Sequence, residues 1–558
     1  MATKTTILWR YYIFFFVVIS VIYQPAANAG LVTDFIDWRN HYQQSGLADL
    51  INGKQNSIKS FYQFTHLLMY GFTNLFGANP IAWHFLFTAL FALNGFLIYR
   101  LFTTVLKDAG VDNAEGIVLI GVLFFLVSPY QAEVVVWKAC LHYLTGFAMA
   151  LYFALNAIAD LRHPTTKRWL LSMLIFTCSV FSLEFFLLTP VLTLILLFFY
   201  RHNSQSDTFR ISIRKFVIIP FLLILGYFIV YKLVFGRWVA HYGAEHHEKL
   251  FHPDTFSTFF KYAIKYLILL RHWNYQEKEA VNHFLDGPII QWGALVIVLS
   301  FVIYGLIRLK KWNIRNKVLL LCMFLFMLYL MPAATFHYSY LLLSENDRLG
   351  FMASAFLLMG FSVLLSRLPR RIYYTIACVY IGLCTFPLFQ SVMYWKKSEF
   401  IFSATVQHPI WHSSIHPHEQ VLFLNAPDNF MGIPIFKSWN DSSDIWKSIR
   451  LDNPRISFGS FYDVAKYNMT DTGNGVHIVV IDSITIRVIF NQWGNWWWNK
   501  GIGAGNYENQ DYQVIFNDGD CGNCYTLRLK NLIPRSIIFQ TGFALKKVNM
   551  KAFGIEQW

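Results

Sequence analysis

From its N-terminus to about residue 392 the chain alternates long apolar runs with short polar ones. The runs lie near 9–27, 81–106, 116–130, 139–160, 170–182, 185–200, 216–235, 288–307, 318–336, 349–366 and 372–392. About 20 apolar residues carry a helix across the ~30 Å hydrocarbon core of a bilayer, so the pattern predicts eleven spans. Two of them, 116–130 and 170–182, are short. A short span in a large bundle ends in a turn that must be buried in protein or line a wet cavity, because lipid cannot satisfy irregular backbone. After residue 392 the period changes. "VLFLNAP", "VHIVVID", "TIRVIF", "YQVIF", "YTLRL" and "SIIFQ" are short runs between Asn, Asp and Gly clusters, as strands are. The expected fold is mostly α: a polytopic transmembrane helical bundle over 1–392 with outer loops 28–79 and 236–287, then a small extracytoplasmic domain over 393–558, β-rich or α/β. Neither an internal repeat nor a Pro-rich linker interrupts this plan.

Composition agrees. Of 558 residues, 55% are hydrophobic and only 14% charged, against about 25% charged in a soluble domain. The formal charge of +14 points less to nucleic acid than to sidedness, since Lys and Arg collect in cytoplasmic loops. With the N-terminus inside, the inner segments hold 18 Lys and Arg in 58 residues and the outer ones 11 in 130. An odd number of spans then puts residues 393–558 outside. A signal-peptide reading of the first run, with cleavage after Ala29 in "QPAANAG", is the alternative; in both readings Asp34 emerges outside. Five cysteines lie in apolar stretches, whereas Cys521 and Cys524 form "CGNC" in the polar C-terminal region, where a structural disulfide is favoured over a redox pair or half a zinc site. The histidine groups "AEHHEKLFH" and "HPIWHSSIHPHE" lack zinc-site spacing, and no metal ligands are assigned.

Charges in or beside spans are costly and functional by default. Here they fall on the predicted outer side: Asp34 and Asp37 in "LVTDFIDWRNHY", Glu133 and Lys138 in "SPYQAEVVVWKACLHY", Glu184 in "FSLEFFLLTP", and Glu345, Asp347 and Arg348 in "LSENDRLGF". Individually, each has a structural explanation: Glu133 and Lys138 as a mutual pair, Glu184 as a plug in a turn. Together they suggest an outward-facing polar cavity. "SIKSFYQFTHLLMYGFTNLFG" has apolar residues at helical spacing and ends in Gly, which predicts an amphipathic helix along the outer interface. The loop 236–287, with six basic and six acidic residues and the stretch "FSTFFKYAIKYLILL", predicts a second. "NQWGNWWWNKGIGAGNYEN" is an aromatic, Gly-rich loop suited to sugar stacking, to the membrane interface or simply to surface packing.

This layout resembles the GT-C superfamily of polytopic glycosyltransferases. Local stretches resemble the bacterial proteins related to the transmembrane O-mannosyltransferases with TPR tails. The stretch around Glu133 and Trp137 matches, with Tyr130 where that branch has His; so does that around Glu184 and Pro190, with Leu183 in place of Lys. Arg348 and Ser354 match a third stretch, and Gly77, His84 and Asn94 a fourth. The resemblance covers about residues 8–370; the TPR tail is missing, and "TDFIDW" stands where that branch has adjacent acids. It implies a multi-pass protein of the bacterial inner membrane. Such an enzyme would move a sugar from a polyprenyl-phosphate-linked donor to a glycan, lipid or protein acceptor, with membrane lipids as partners and no nucleic acid. Neither cofactor nor nucleotide site is needed, and a divalent metal is left open. A carboxylate suits removal of the acceptor proton: Asp34 is the expected catalytic base, with Asp37 supporting. Arg348 is expected to hold the phosphate through paired donors, with Lys138 and Arg237 as runners-up. Glu133, Glu184 and Asp347 complete the substrate-binding set. The alternatives are a transporter or flippase for a lipid-linked glycan, and a non-catalytic envelope-assembly protein. A topology reporter fused after Trp558 is expected to report the extracytoplasmic side; activity confined to the cytoplasm overturns the sidedness.

Overall fold

The computed structural model describes residues 2–44, 46, 49, 61–201, 206–238, 252–273, 275–308, 313–334, 347–436, 443–491, 496–497, 505–516, 523–531 and 533–557. Glu345, His246, His247, Cys521 and most of the aromatic loop near residue 495 lie outside them. The chain forms two compact units, Met1–Ala27 with Ser45–Val392, and Asn28–Gln44 with Met393–Trp558. The first is helical: α1 (Ala2–Tyr23), then, after α2 (Asp34–Gln44) of the second unit, α3 (Gln63–Phe76), α4 (Pro80–Asp108), α5 (Ala114–Leu126), α6 (Ala132–Val136), α7 (Leu141–Arg162), α8 (Thr166–Val180), α9 (Thr189–Tyr200) and α10 (Ser206–Ile213). It continues with α11 (Ile219–Phe235), α12 (Pro253–Ile268), α13 (Tyr275–Leu285), α14 (Pro288–Arg308), α15 (Ile314–Ala334) and α16 (Phe351–Leu365). The long helix α17 (Arg370–Val406) carries the chain on into the second unit.

Among the described residues seven helices are long and apolar enough to cross a membrane, or eight if one bent pair counts as a span. The seven fall on predicted runs. The bent pair, Ala114–Leu126 with Pro129–Val136 at 57°, falls on the short run 116–130. Its cause is local: the residue before a proline avoids helical backbone, Ser128 is extended at ψ 130, and a 3₁₀ turn at Pro129–Gln131 precedes α6. The count of eleven is not reached. The run 170–182 lies in α8, whose 15 residues rise only about 22 Å against a core of ~30 Å. The run 185–200 lies in the shorter apolar stretch Glu184–Tyr200. The run 9–27 corresponds to α1, 22 residues long, which stands outside the seven. On α11, Leu222, Leu225, Ile229 and Leu233 form an exposed stripe at helical spacing, a face that suits hydrocarbon and not water.

The second unit is β-rich. Strands β1 (Gln420–Phe423), β2 (Ala426–Phe430), β3 (Ile433–Pro434), β4 (Ser460–Asp463), β5 (Lys466–Met469), β6 (Val476–Val480), β7 (Thr485–Phe490), β8 (Trp496–Trp497), β9 (Tyr507–Glu508), β10 (Tyr512–Phe516), β11 (Cys524–Leu529), β12 (Arg535–Thr541), β13 (Ala544–Lys547) and β14 (Glu556–Gln557) form three sheets. Their orders are β13-β12-β1-β4, β14-β6-β7-β11-β10-β9 and β3-β2-β5-β8. β1 is parallel to both β12 and β4, and β6 and β10 bury alternate residues, as half-buried strands do. Each of the six runs that the sequence marks as β-rich overlaps at least one of these strands. The short helix α18 (Ile410–Ser413) precedes β1, and α19 (Asp444–Asp452) stands between β3 and β4.

The segment Asn28–Gln44, which the sequence reading kept with the outer loop 28–79 of the bundle, packs into this second unit. The Glu399 carboxylate accepts hydrogen bonds from the Gly30 and Leu31 N–H groups at 2.9 and 3.2 Å. Phe35 and Ile36 are buried, at 2% and 4% exposure, and Arg39 reaches Asp452 at 3.2 Å.

One close contact in the bundle places a polar turn. A Cβ on Gly146 of α7 would lie 2.6 Å from ring atoms of Phe186, closer than real Cβ contacts come. Phe186 is fully buried in the 3₁₀ turn Glu184–Leu188. Gly146→Ala is expected to cost about 1–3 kcal/mol by overpacking, read as a lowered thermal midpoint in detergent, and Gly146→Ala/Phe186→Leu should recover part of it. An unchanged midpoint for the single variant contradicts this packing.

Candidate functional site

The break between α5 and α6 sets a carboxylate against a guanidinium. Glu133, in the first turn of α6, is 3% exposed. Its Oε1 lies 2.5 Å from Arg348 Nη1 and its Oε2 accepts the Arg348 main-chain N–H at 2.7 Å. One carboxylate therefore grips both the backbone and the head of the same arginine. The Arg348 guanidinium also lies over the Trp137 ring, 5.1 Å from its centroid, a cation–π contact. Trp137 is extended, between α6 and a 3₁₀ turn at Lys138–Cys140. Behind it Gln131 Nε2 donates to Ser354 Oγ at 2.9 Å, which ties the break to α16.

A second ion pair sits one residue away. Asp347 begins the 3₁₀ turn Asp347–Gly350, and its Oδ1 lies 2.6 Å from Lys265 Nζ of α12, both side chains buried. Lys265 Nζ stands 5.1 Å from the Tyr130 ring and 5.2 Å from that of Tyr262. Lys138 is fully buried; its Nζ donates to the Val135 carbonyl at 3.4 Å and faces the Phe87 ring at 4.9 Å. Glu184 accepts from Tyr62 Oη at 2.7 Å, and the Tyr62 ring stacks on His142, centroids 6.3 Å apart. Tyr231 lies within electrostatic range of both Glu184 and Arg237.

The sequence-predicted residues therefore separate into groups. Glu133, Asp347 and Arg348 come together in the first unit, with Lys138 on the same broken segment as Glu133. Glu184 and Arg237 share the neighbourhood of Tyr231. Glu133 is paired with Arg348, one of the cations the sequence had offered it beside Lys138. Asp34 and Asp37 belong to the second unit. Lys265, Tyr62 and Tyr262 were missed. A signal existed: Lys261, Tyr262, Lys265 and Tyr266 repeat at i, i+4, which puts them on one stripe of a helix, yet "FKYAIKY" reads first as an interfacial segment. Among the described residues no group of three or more His, Cys, Asp or Glu side chains is arranged to hold a metal ion. Cys524 is disulfide-bonded.

In the second unit, Asp37 Oδ1 lies 2.7 Å from Lys447 Nζ, and Lys447 also reaches Asp444 at 3.3 Å. Asp34 opens α2, half-buried. It follows Thr33, whose φ is +52°, a left-handed backbone that a β-branched residue rarely adopts; such strain persists where the surroundings impose it. Here the clamp by Glu399 and the burial of Thr33 supply that imposition. Asp444 is buried in the first turn of α19, behind the Ser443 N-cap, and Ser443 Oγ donates to Asp463 at 2.7 Å. Burial pushes the Asp444 carboxyl up to about 7, against the pull of Lys447. Burial likewise pushes Asp463 up. For Lys447 burial acts downward, but Asp444 and Asp37 outweigh it and hold the ammonium above its ordinary value.

Comparison with protein-family models, with curated proteins and with solved structures finds no match to this chain.

The raised Asp444 carboxyl has a consequence of definite sign. The unfolded chain loses this proton near 3.8 and the folded one near 7, so stability is full at low pH and declines as pH rises between those values. Hydrogen exchange of the α19 amides, corrected for intrinsic rates, should be faster at pH 8 than at pH 5, and Asp444→Asn should remove most of the difference. A variant with the wild-type pH dependence overturns the assignment.

Proposed function

We propose that the chain is a membrane glycosyltransferase of the GT-C type, moving a sugar from a polyprenyl-phosphate-linked donor to an acceptor on the extracytoplasmic face of a bacterial inner membrane. In this reading α1, α8 and the stretch Glu184–Tyr200 complete an eleven-span bundle with the seven long helices and the bent pair. The observation that carries the reading is Arg348: a guanidinium with 19% of its side chain exposed, fixed through both main chain and side chain by Glu133, which lies on the bent helix pair. The Trp137 ring covers it and most of its side chain is out of water, so an anion reaching it meets a pre-oriented donor in a medium where charge counts for more than in water. A polyprenyl phosphate is such an anion, and its isoprenoid chain suits the apolar faces that the helices present. Glu184, hydrogen-bonded to Tyr62, has the chemistry to orient sugar hydroxyls. Asp34, on its strained turn, is the proposed base that takes the acceptor proton. Asp37, engaged by Lys447, has a supporting role in holding α2.

A transporter or flippase for the same kind of lipid is favoured by one observation, the 57° break, because transporters build sites at broken helices. Translocation of a fluorescent lipid-linked glycan across proteoliposomes, without hydrolysis or transfer, would support it instead.

The decisive measurement is sugar transfer by purified protein in nanodiscs from a polyprenyl-phosphate donor. Arg348→Lys keeps the charge but not the paired donors, and is expected to lose most donor affinity while the protein stays inserted. Asp34→Asn should lower transfer by ~10²–10⁴-fold with donor binding intact, and Asp37→Asn much less. Wild-type protein that neither binds nor turns over such donors removes the reading.

A further inference from the structure

Lys265 lies on α12, a helix the transfer chemistry above does not use, yet it touches both turns that build the Arg348 site. On one side is the turn carrying Glu133: Tyr130, in the 3₁₀ turn just before α6, faces the Lys265 ammonium at 5.1 Å and packs edge-on against Tyr266 with centroids 5.1 Å apart. On the other side is the turn carrying Arg348: Lys265 binds Asp347 at 2.6 Å, and a Cβ on Gly350 would meet Tyr262 Cε1 at 2.7 Å. α12 is itself fastened, through an ion pair between Lys261 and Asp286 and by Tyr380 Oη donating to the Tyr266 carbonyl at 2.8 Å.

The geometry of the turn makes the connection directional. Successive residues of a 3₁₀ helix project about 120° apart. With the Asp347 side chain pinned toward α12, the azimuth of its neighbour Arg348 is fixed toward Glu133 and Trp137. A buried ion pair of this kind is weak evidence for stability, because desolvation offsets much of its attraction; what it reliably imposes is a geometry. We infer that Lys265, acting through Asp347, is a positioning residue that sets the orientation of the Arg348 guanidinium. The inference rests on Arg348 being the anion-holding group of the proposed function.

The test separates the two. Full-length protein in nanodiscs is labelled with an arginine-selective dicarbonyl reagent, and modification of Arg348 is followed by mass spectrometry; affinity for a polyprenyl phosphate is measured on the same samples. Lys265→Met should raise Arg348 labelling several-fold and weaken lipid-phosphate binding by about tenfold, the worth of one charge-assisted hydrogen bond. It will also lower stability, because it leaves Asp347 buried beside an apolar side chain. Lys265→Met/Asp347→Asn removes that charge. It should restore the thermal midpoint while Arg348 labelling and phosphate affinity stay perturbed. If the double variant restores labelling as well, the pair is only structural and the inference falls; it falls too if neither variant changes labelling. If labelling changes as expected but wild-type protein binds no polyprenyl phosphate, the positioning role stands and the proposed donor class fails.

Discussion

A carboxylate and a guanidinium can stay ionised inside a bundle of apolar helices only when each satisfies the other, since the effective penalty for an uncompensated ion is several kcal/mol. Glu133 and Arg348 meet that condition in an economical way. One carboxylate oxygen takes the guanidinium and the other takes the arginine's own amide. Much of the surrounding architecture serves this pair. Pro129 ends α5 so that α6 can start at a new angle, and Ser354 braces the break through Gln131. The aromatic rings of Trp137, Tyr130 and Tyr262 occupy the space where water would otherwise screen the charges.

The second unit solves a different problem. It holds a helix, α2, that comes from the other end of the chain. Main-chain N–H groups at Gly30 and Leu31, which have no strand or helix partner, find one in Glu399. The acid on the next turn of α2, Asp37, is met by Lys447 from α19. The cost is a crowded set of carboxylates around Lys447, and Asp444, the most enclosed of them, responds by holding its proton to about pH 7.

Much of this was legible in the linear chain. Apolar length alone located the seven long helices and the bent one, because hydrocarbon thickness is a strict ruler. Length alone is a weaker guide where it is ambiguous: α8 is apolar yet only 15 residues long. β-branched runs located the strands of the second unit, though nothing in them indicated which strands are parallel. Charge in apolar surroundings drew attention to Glu133, Asp347 and Arg348 among others, and the fold brings Glu133 to Arg348, with Asp347 next to it in the chain. The partners were harder. Glu133 lies beside Lys138 in sequence but binds an arginine 215 positions away, and Asp37 binds a lysine 410 positions away. Lys265 was hidden because a lysine among tyrosines on an amphipathic helix resembles a snorkelling side chain, and only the fold shows it turned inward. The transfer of Asn28–Gln44 to the second unit was invisible for the same reason: its ties are to Glu399, Lys447 and Asp452, far along the chain.

The separation of 215 residues between Glu133 and Arg348 also bears on how the protein is made. Polypeptide leaves the ribosome at about 5–20 residues per second, so Glu133 enters the membrane roughly 10–40 s before its arginine exists. During that interval the broken segment carries a carboxylate with no arginine to meet it, next to backbone that is not yet braced by Ser354. The pair is thus completed only late in synthesis, by one side chain. A truncation that stops before residue 348 should be retained by quality control even though most of its helices are already synthesised.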